Sequence, residues 1–145
     1  GHDAYDYVIV DTPPTPSTFM NSALLASDYY IVPVRPEPLS RVGIDLLRGV
    51  IDRITENHGH KIENVGVVVT MADARTNVYY EALEFLDKDA SWKNKRFKVG
   101  LPQRTAVARD QGSQRLILDS NKVDSQRAIA GITNELLERV GDDGL

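Results

Sequence analysis

Two periods of apolar spacing run along the chain, and the switches between them mark its elements. Val8, Ile9 and Val10 make an apolar run closed by Asp11, which predicts a buried strand over Val8 to Asp11. Thr18 to Ala26 reads as a short helix capped by Ser17. Tyr29 to Val34 reads as a second strand, with Pro33 marking its end. Ser40 can cap a helix whose stripe is Val42, Leu46, Leu47, Val50, Ile51 and Ile54, ending at Asn57-His58-Gly59. Val65 to Thr70 is β-branched and apolar on both faces, as parallel strands are. Val78, Ala82, Phe85 and Leu86 mark another helix, Phe97 to Leu101 a fourth strand, and Ile129, Ile132, Leu136 and Val140 a closing helix over Val123 to Val140. Strands alternating with helices predict an α/β fold, a mostly parallel sheet with helices on both faces. The pattern fills a single domain over 1–145, with Gly1-His2 read as an expression scar and 141–145 as a frayed tail.

Composition narrows the chemistry. The 145 residues hold no cysteine, which excludes disulfides, thiolate nucleophiles and cysteine-ligated metals. No apolar stretch approaches the roughly 20 residues of a membrane span. No signal peptide opens the chain, and a cytoplasmic setting is expected. The net charge of −4 hides an asymmetry. From Lys88 to Arg115 there are eight Lys/Arg against two Asp/Glu, while the remainder carries nine against nineteen. A basic segment in an acidic protein is a candidate polyanion surface, and a solvated lysine-rich loop is the alternative.

Tyr5-Asp6-Tyr7-Val8-Ile9-Val10-Asp11-Thr12-Pro13-Pro14 carries the most chemistry. Open α/β sheets place ligands at the carboxyl ends of their strands, so Asp11 falls where an acid can face a phosphate-bound magnesium ion. The alternative is an aspartate capping a turn before prolines. The Gly-rich Gly-Lys-Ser/Thr loop that cradles phosphates does not occur in the sequence.

The order of motifs is more specific than any one of them. Asp11-Thr12-Pro13-Pro14, Val32-Pro33-Val34-Arg35-Pro36-Glu37-Pro38, Val69-Thr70-Met71-Ala72-Asp73-Ala74-Arg75-Thr76-Asn77, Leu101-Pro102 and Ile117-Leu118-Asp119 together resemble the ParA-type, deviant-Walker partition ATPases. The similarity runs from Tyr5 to Val140. It implies a P-loop NTPase-like fold truncated at the N-terminus, with the phosphate-loop strand missing from beside the Asp11 strand. Such a chain must close the gap, pair with another chain or fold differently. The resemblance also implies ATP and Mg²⁺ as cofactors of the complete protein, an ATP-driven homodimer, non-specific DNA and a ParB-like centromere-binding partner. It implies a nucleoid-associated cytoplasmic location in a bacterium or archaeon. Without the phosphate loop the chain is expected to be inactive alone.

Residue by residue, the resemblance implies that Asp11 holds Mg²⁺ through water and that Pro14 and Glu37 lie at the nucleotide's switch edge. It places Met71, Asp73, Pro102 and Gln103 around the adenine, where ordinary strand-to-helix turns are the alternative. Arg75 matches a DNA-binding arginine, with a surface ion pair to Asp73 or Glu81 as the alternative. The position of a second such arginine is Ala106, flanked by Arg104 and Arg109. Lys93, Lys95, Arg96 and Lys98 add to the electrostatic footprint. Trp92 among these lysines suits base stacking or, more commonly, packing. His58 and His60 have no third ligand nearby in sequence and read as a solvated turn. The competing function is a non-catalytic DNA- or partner-binding module without nucleotide dependence. The acidic end of the chain argues against the membrane-attached branch of the superfamily, and the lack of cysteine excludes the nitrogenase iron-protein branch.

Overall fold

In the computed structural model, residues 5–13, 15, 17–37, 41–102 and 123–141 are described. Among them the order is α1 (Thr18–Leu25), β1 (Tyr29–Val34), α2 (Arg41–His58), β2 (Glu63–Val69), α3 (Asn77–Lys88) and α4 (Val123–Val140). Local signals set the helix ends. The Met20 N–H donates to Ser17 Oγ at 3.2 Å, and the Tyr79 N–H donates to Thr76 Oγ1 at 3.3 Å, so each hydroxyl satisfies a first-turn donor. Gly59, at φ +60°, follows the last residue of α2 in the left-handed conformation that glycine adopts without strain.

β1 and β2 pair in parallel, and β2 is buried on both faces. On one face Val67 and Val69 pack with Leu86 of α3 and with Trp92. On the other, Val65, Val68 and Phe97 pack against Ile132, Leu136 and Val140 of α4. Met20 and Leu24 of α1 form a further cluster with Ile51 and Ile54 of α2, and Tyr30 joins this cluster to the α3 face. Helices therefore cover both faces, as the sequence predicts. Leu46 departs from the expected stripe of α2, being 66% exposed.

Two expected strands are corrected. Val8 to Asp11 is not a strand: Val8 is 81% and Ile9 88% exposed, and no backbone hydrogen bond joins the segment to the sheet among the described residues. An apolar run becomes a strand only where a neighbour takes up its N–H and C=O groups. The expected strand Phe97 to Leu101 is broken into two points of pairing. Val67 exchanges hydrogen bonds with Lys95 and Phe97, both at 2.9 Å, and the Leu101 N–H donates to Val69 at 2.8 Å. Between them the chain leaves the ladder.

The open edge of β1 is blunted. The carbonyls of Asp28 and Val34 accept from Glu63 and Thr70, at 2.9 and 2.7 Å. In a parallel strand a residue's N–H and C=O point the same way, so the even positions face β2 and Pro33 faces the open edge. There its missing N–H leaves no ladder bond unmade.

The register slips once, where Tyr30 pairs with Asn64 and Ile31 with Gly66. Gly66 lies at φ +147°, and a Cβ on it would stand 2.1 Å from the Lys95 carbonyl oxygen. Arg139 of α4 reaches over this bulge. Its Nη1 donates to the carbonyls of Val65 (2.7 Å) and Lys95 (2.9 Å), and its Nη2 to Arg96 O (2.9 Å) and Glu135 Oε1 (2.6 Å). The guanidinium lies 4.3 Å from the centre of the Phe97 ring. Glu135, itself buried, accepts the Lys98 N–H through its other oxygen at 2.9 Å. One planar cation thus ties α4 to both edges of the bulge.

Removing Arg139 leaves three carbonyls and a buried carboxylate short of a donor. Arg139→Ala is expected to cost about 3 kcal/mol. Arg139→Lys should recover less than half of that, because an ammonium cannot span the three carbonyls. Urea unfolding of the two variants checks this, and full stability in Arg139→Lys would show that only the charge matters.

Candidate functional site

The exits of β2 and of its partner segment meet at one edge of the sheet. Thr70 closes β2 by donating both its N–H (2.7 Å) and its hydroxyl (3.1 Å) to Val34 O. Met71 then turns through φ +53°, a left-handed conformation rare outside glycine and characteristic of functional turns. The Ala72 N–H donates to Leu101 O at 3.0 Å. Gly100 passes so close that a Cβ there would meet Val69 O at 2.8 Å. Beside this crossing lies an open cavity of about 450 Å³, lined by Ala72, Ala74, Tyr79, Val99, Gly100 and Pro102, and by Asp124, Arg127 and Ala128 of α4.

Two of the expected adenine-side residues, Met71 and Pro102, belong to this crossing, and a third, Asp73, lies between two cavity-lining alanines. Gln103 lies outside the described residues. Sequence reasoning missed Tyr79, Asp124 and Arg127. The α4 pair shares a helix face with Ala128 through i, i+3 and i, i+4 spacing, which is visible in sequence only once that face is known to meet a strand exit.

Asp73 is held by its own loop. Its Oδ1 accepts the backbone N–H of Arg75 at 3.1 Å and Nε at 2.8 Å, and Oδ2 accepts Nη2 at 2.8 Å. Those hydrogen bonds hold the Asp73 carboxyl down to about 2. Thr76 Oγ1 donates to Asp73 O at 2.9 Å, which fixes the turn into α3.

Asp11 and Glu37 are exposed, and no hydrogen bond or ion pair joins either to another described residue; Pro14 lies outside the description. Magnesium takes one or two protein carboxylates and fills its remaining positions with water and phosphate oxygens. No group of three His, Cys, Asp or Glu side chains able to hold a metal exists among the described residues.

The basic segment is partly spent on structure. Arg96 forks onto Asp87 through two bonds of 2.9 Å, and the Lys95 ammonium donates to Asn64 O at 2.8 Å. Lys93 and Lys98 keep exposed side chains, and Arg104 and Arg109 fall outside the described residues. Trp92 is 2% exposed and packs in the core, so it offers no stacking surface. His60 Nε2 pairs with Ser27 O at 2.9 Å, and His58 Nδ1 with Ile54 O at 3.1 Å.

Comparison with known proteins decides the family. A family model described as an AAA domain matches residues 2–64. The sporulation initiation inhibitor protein Soj of Bacillus subtilis is 30% identical over 104 residues, which is 72% of this chain and 40% of Soj. A chromosome partitioning protein ParA from Myxococcus xanthus is 27% identical over 104 residues, 72% of this chain and 36% of that protein. The ParA of Caulobacter vibrioides is 28% identical over 140 residues, 95% of this chain and 51% of that protein. The chain belongs to the ParA-type family of partition ATPases. It spans about half or less of the length of these relatives. The parallel strands and flanking helices of this ParA-type chain are those of an α/β, P-loop NTPase-like fold. No helix among its described residues is long and apolar enough to cross a membrane.

The Asp73–Arg75 contact gives a direct check on the site. The Asp73 carboxyl is expected to titrate near pH 2 and to rise only part of the way toward the ordinary range near 4 in Arg75→Ala, which keeps the backbone N–H bond. Carbon-detected NMR titration of the carboxyl reads this, and an unchanged midpoint would mean that the fork does not persist in solution.

Proposed function

We infer that this chain supplies the base-binding and DNA-facing side of an ATP-dependent partition protein. The observation that carries this reading is the cavity at the strand exits, with the left-handed turn at Met71 on its border. Its walls suit the flat face of a purine: Ala72, Val99 and Pro102 are apolar, and Tyr79 adds an aromatic ring. Backbone groups of the turn following Met71 supply the polar edge, and Gln103 joins this wall in the expectation drawn from the family.

ATP would enter with Mg²⁺, and Asp11 would meet the metal through water, with Pro14 and Glu37 at the same nucleotide edge. Phosphoryl transfer depends on positioning and charge neutralisation. The Gly-rich, lysine-bearing loop that does this work does not occur in the 145 residues, so the chain by itself turns over no ATP. DNA would be met through Arg75, Lys93 and Lys98, joined by Arg104 and Arg109. Lys95 and Arg96 contribute field more than contacts, since their head groups already have partners. A nucleotide-dependent homodimer and a ParB-like partner complete the reading, in a nucleoid-associated setting.

Binding of a labelled DNA duplex, followed by anisotropy, tests it. Affinity should be independent of sequence and fall steeply with salt. Lys93→Glu combined with Lys98→Glu should weaken it at least about fivefold. Unchanged affinity would remove the patch from the account, and ATP turnover above background would overturn the view that the phosphate side is lacking.

A further inference from the structure

The loop between β2 and α3 carries a charge arrangement that neither family membership nor the cavity explains. Arg75 points its guanidinium into solvent, with its side chain 88% exposed, yet Nε and Nη2 are both committed to the two oxygens of Asp73. This edge is one of the two through which a guanidinium can bridge a phosphate bidentately, the Nη1–Nη2 edge being the other. The carboxylate is no free competitor: the Arg75 backbone N–H holds Oδ1 at 3.1 Å, and Thr76 Oγ1 donates to the Asp73 carbonyl. Asp73 thus stays in place whether or not the guanidinium leaves. The pair spans two residues and is exposed, so it is a weak ion pair that a multiply charged ligand can open.

We propose that Asp73 is a built-in latch on Arg75, occupying the guanidinium edge that would otherwise grip a nucleic-acid phosphate, so that the DNA-facing surface is held in a low-affinity state. This rests on the DNA reading given above and adds its regulation. A phosphate that takes the Nε–Nη2 edge must displace Asp73, and one that approaches the Nη1 side meets the fixed negative charge beside it. Full grip comes only when something else engages Asp73. The loop is placed for that coupling, because Asp73 is flanked by Ala72 and Ala74, which both line the cavity.

The test is a double-mutant cycle on duplex DNA affinity at low ionic strength, using Asp73→Asn, Arg75→Ala and the pair together. Arg75 is exposed, Asp73→Asn keeps the acceptor for the Arg75 N–H, and the cap of α3 is Thr76, so the variants keep the fold. Asp73→Asn is expected to bind about three- to tenfold tighter, with one more phosphate contact in its salt dependence. In the Arg75→Ala background the gain should vanish. A gain that persists without Arg75 would reduce Asp73 to a general negative charge and overturn the latch. DNA binding that Asp73→Asn leaves unchanged would overturn it too, while leaving the DNA surface standing. No binding in any variant would overturn the DNA reading itself, and the latch with it.

Discussion

The fold depends on one strand that has no solvent-facing side. β2 buries Val67 and Val69 under α3 and Trp92, and Val65 and Val68 under α4, so its backbone must be satisfied entirely from its two edges. β1 provides one edge. The other is ragged, and Gly66 and Arg139 repair it: the glycine lets Lys95 approach, and the guanidinium takes up the carbonyls of Val65, Lys95 and Arg96. The same contact anchors the C-terminal part of α4. Its N-terminal turn then falls against the strand exits, where Asp124, Arg127 and Ala128 line the cavity. A packing solution at one end of the sheet thereby sets the shape of the site at the other.

What could be read from the sequence follows from which signals are local. Ser17 and Gly59 mark helix ends, and the apolar stripes of α3 and α4 sit where the period of 3.6 puts them, because these features need only neighbours in sequence. Val8 to Asp11 has the composition of a strand, but strand formation is a property of a pair, and among the described residues no backbone partner meets it. Phe97 to Leu101 failed for a related reason. Its apolar residues are buried as expected at Phe97, but the ladder touches only at Lys95–Phe97 and Leu101. Charge was the least legible feature. Eight basic residues between Lys88 and Arg115 suggest one surface, while Arg96 is tied to Asp87 and Lys95 to a carbonyl. Sequence counts charges without showing which are already paired.

The candidate site divides along the same line. The proposed base side draws on the exits of strands that do pair, where a left-handed turn, a close glycine and a cavity with an apolar wall come together. The proposed metal side draws on the segment that does not pair, where Asp11 stands exposed. The two halves of a nucleotide site therefore rise or fall with the sheet that carries them. A base pocket alone offers apolar contact and a few backbone bonds, whereas most of the grip on a nucleoside triphosphate comes from its phosphates and metal.

That asymmetry can be measured directly by NMR titrations of the chain with adenosine and with Mg-ATP, following the amides of Ala72, Ala74 and Tyr79. The account predicts the same weak perturbation from both ligands, with affinities within about twofold, because only the base is recognised. Mg-ATP binding more than tenfold tighter than adenosine, and lost in Asp11→Asn, would contradict it by showing that the phosphate and metal side is assembled in this chain.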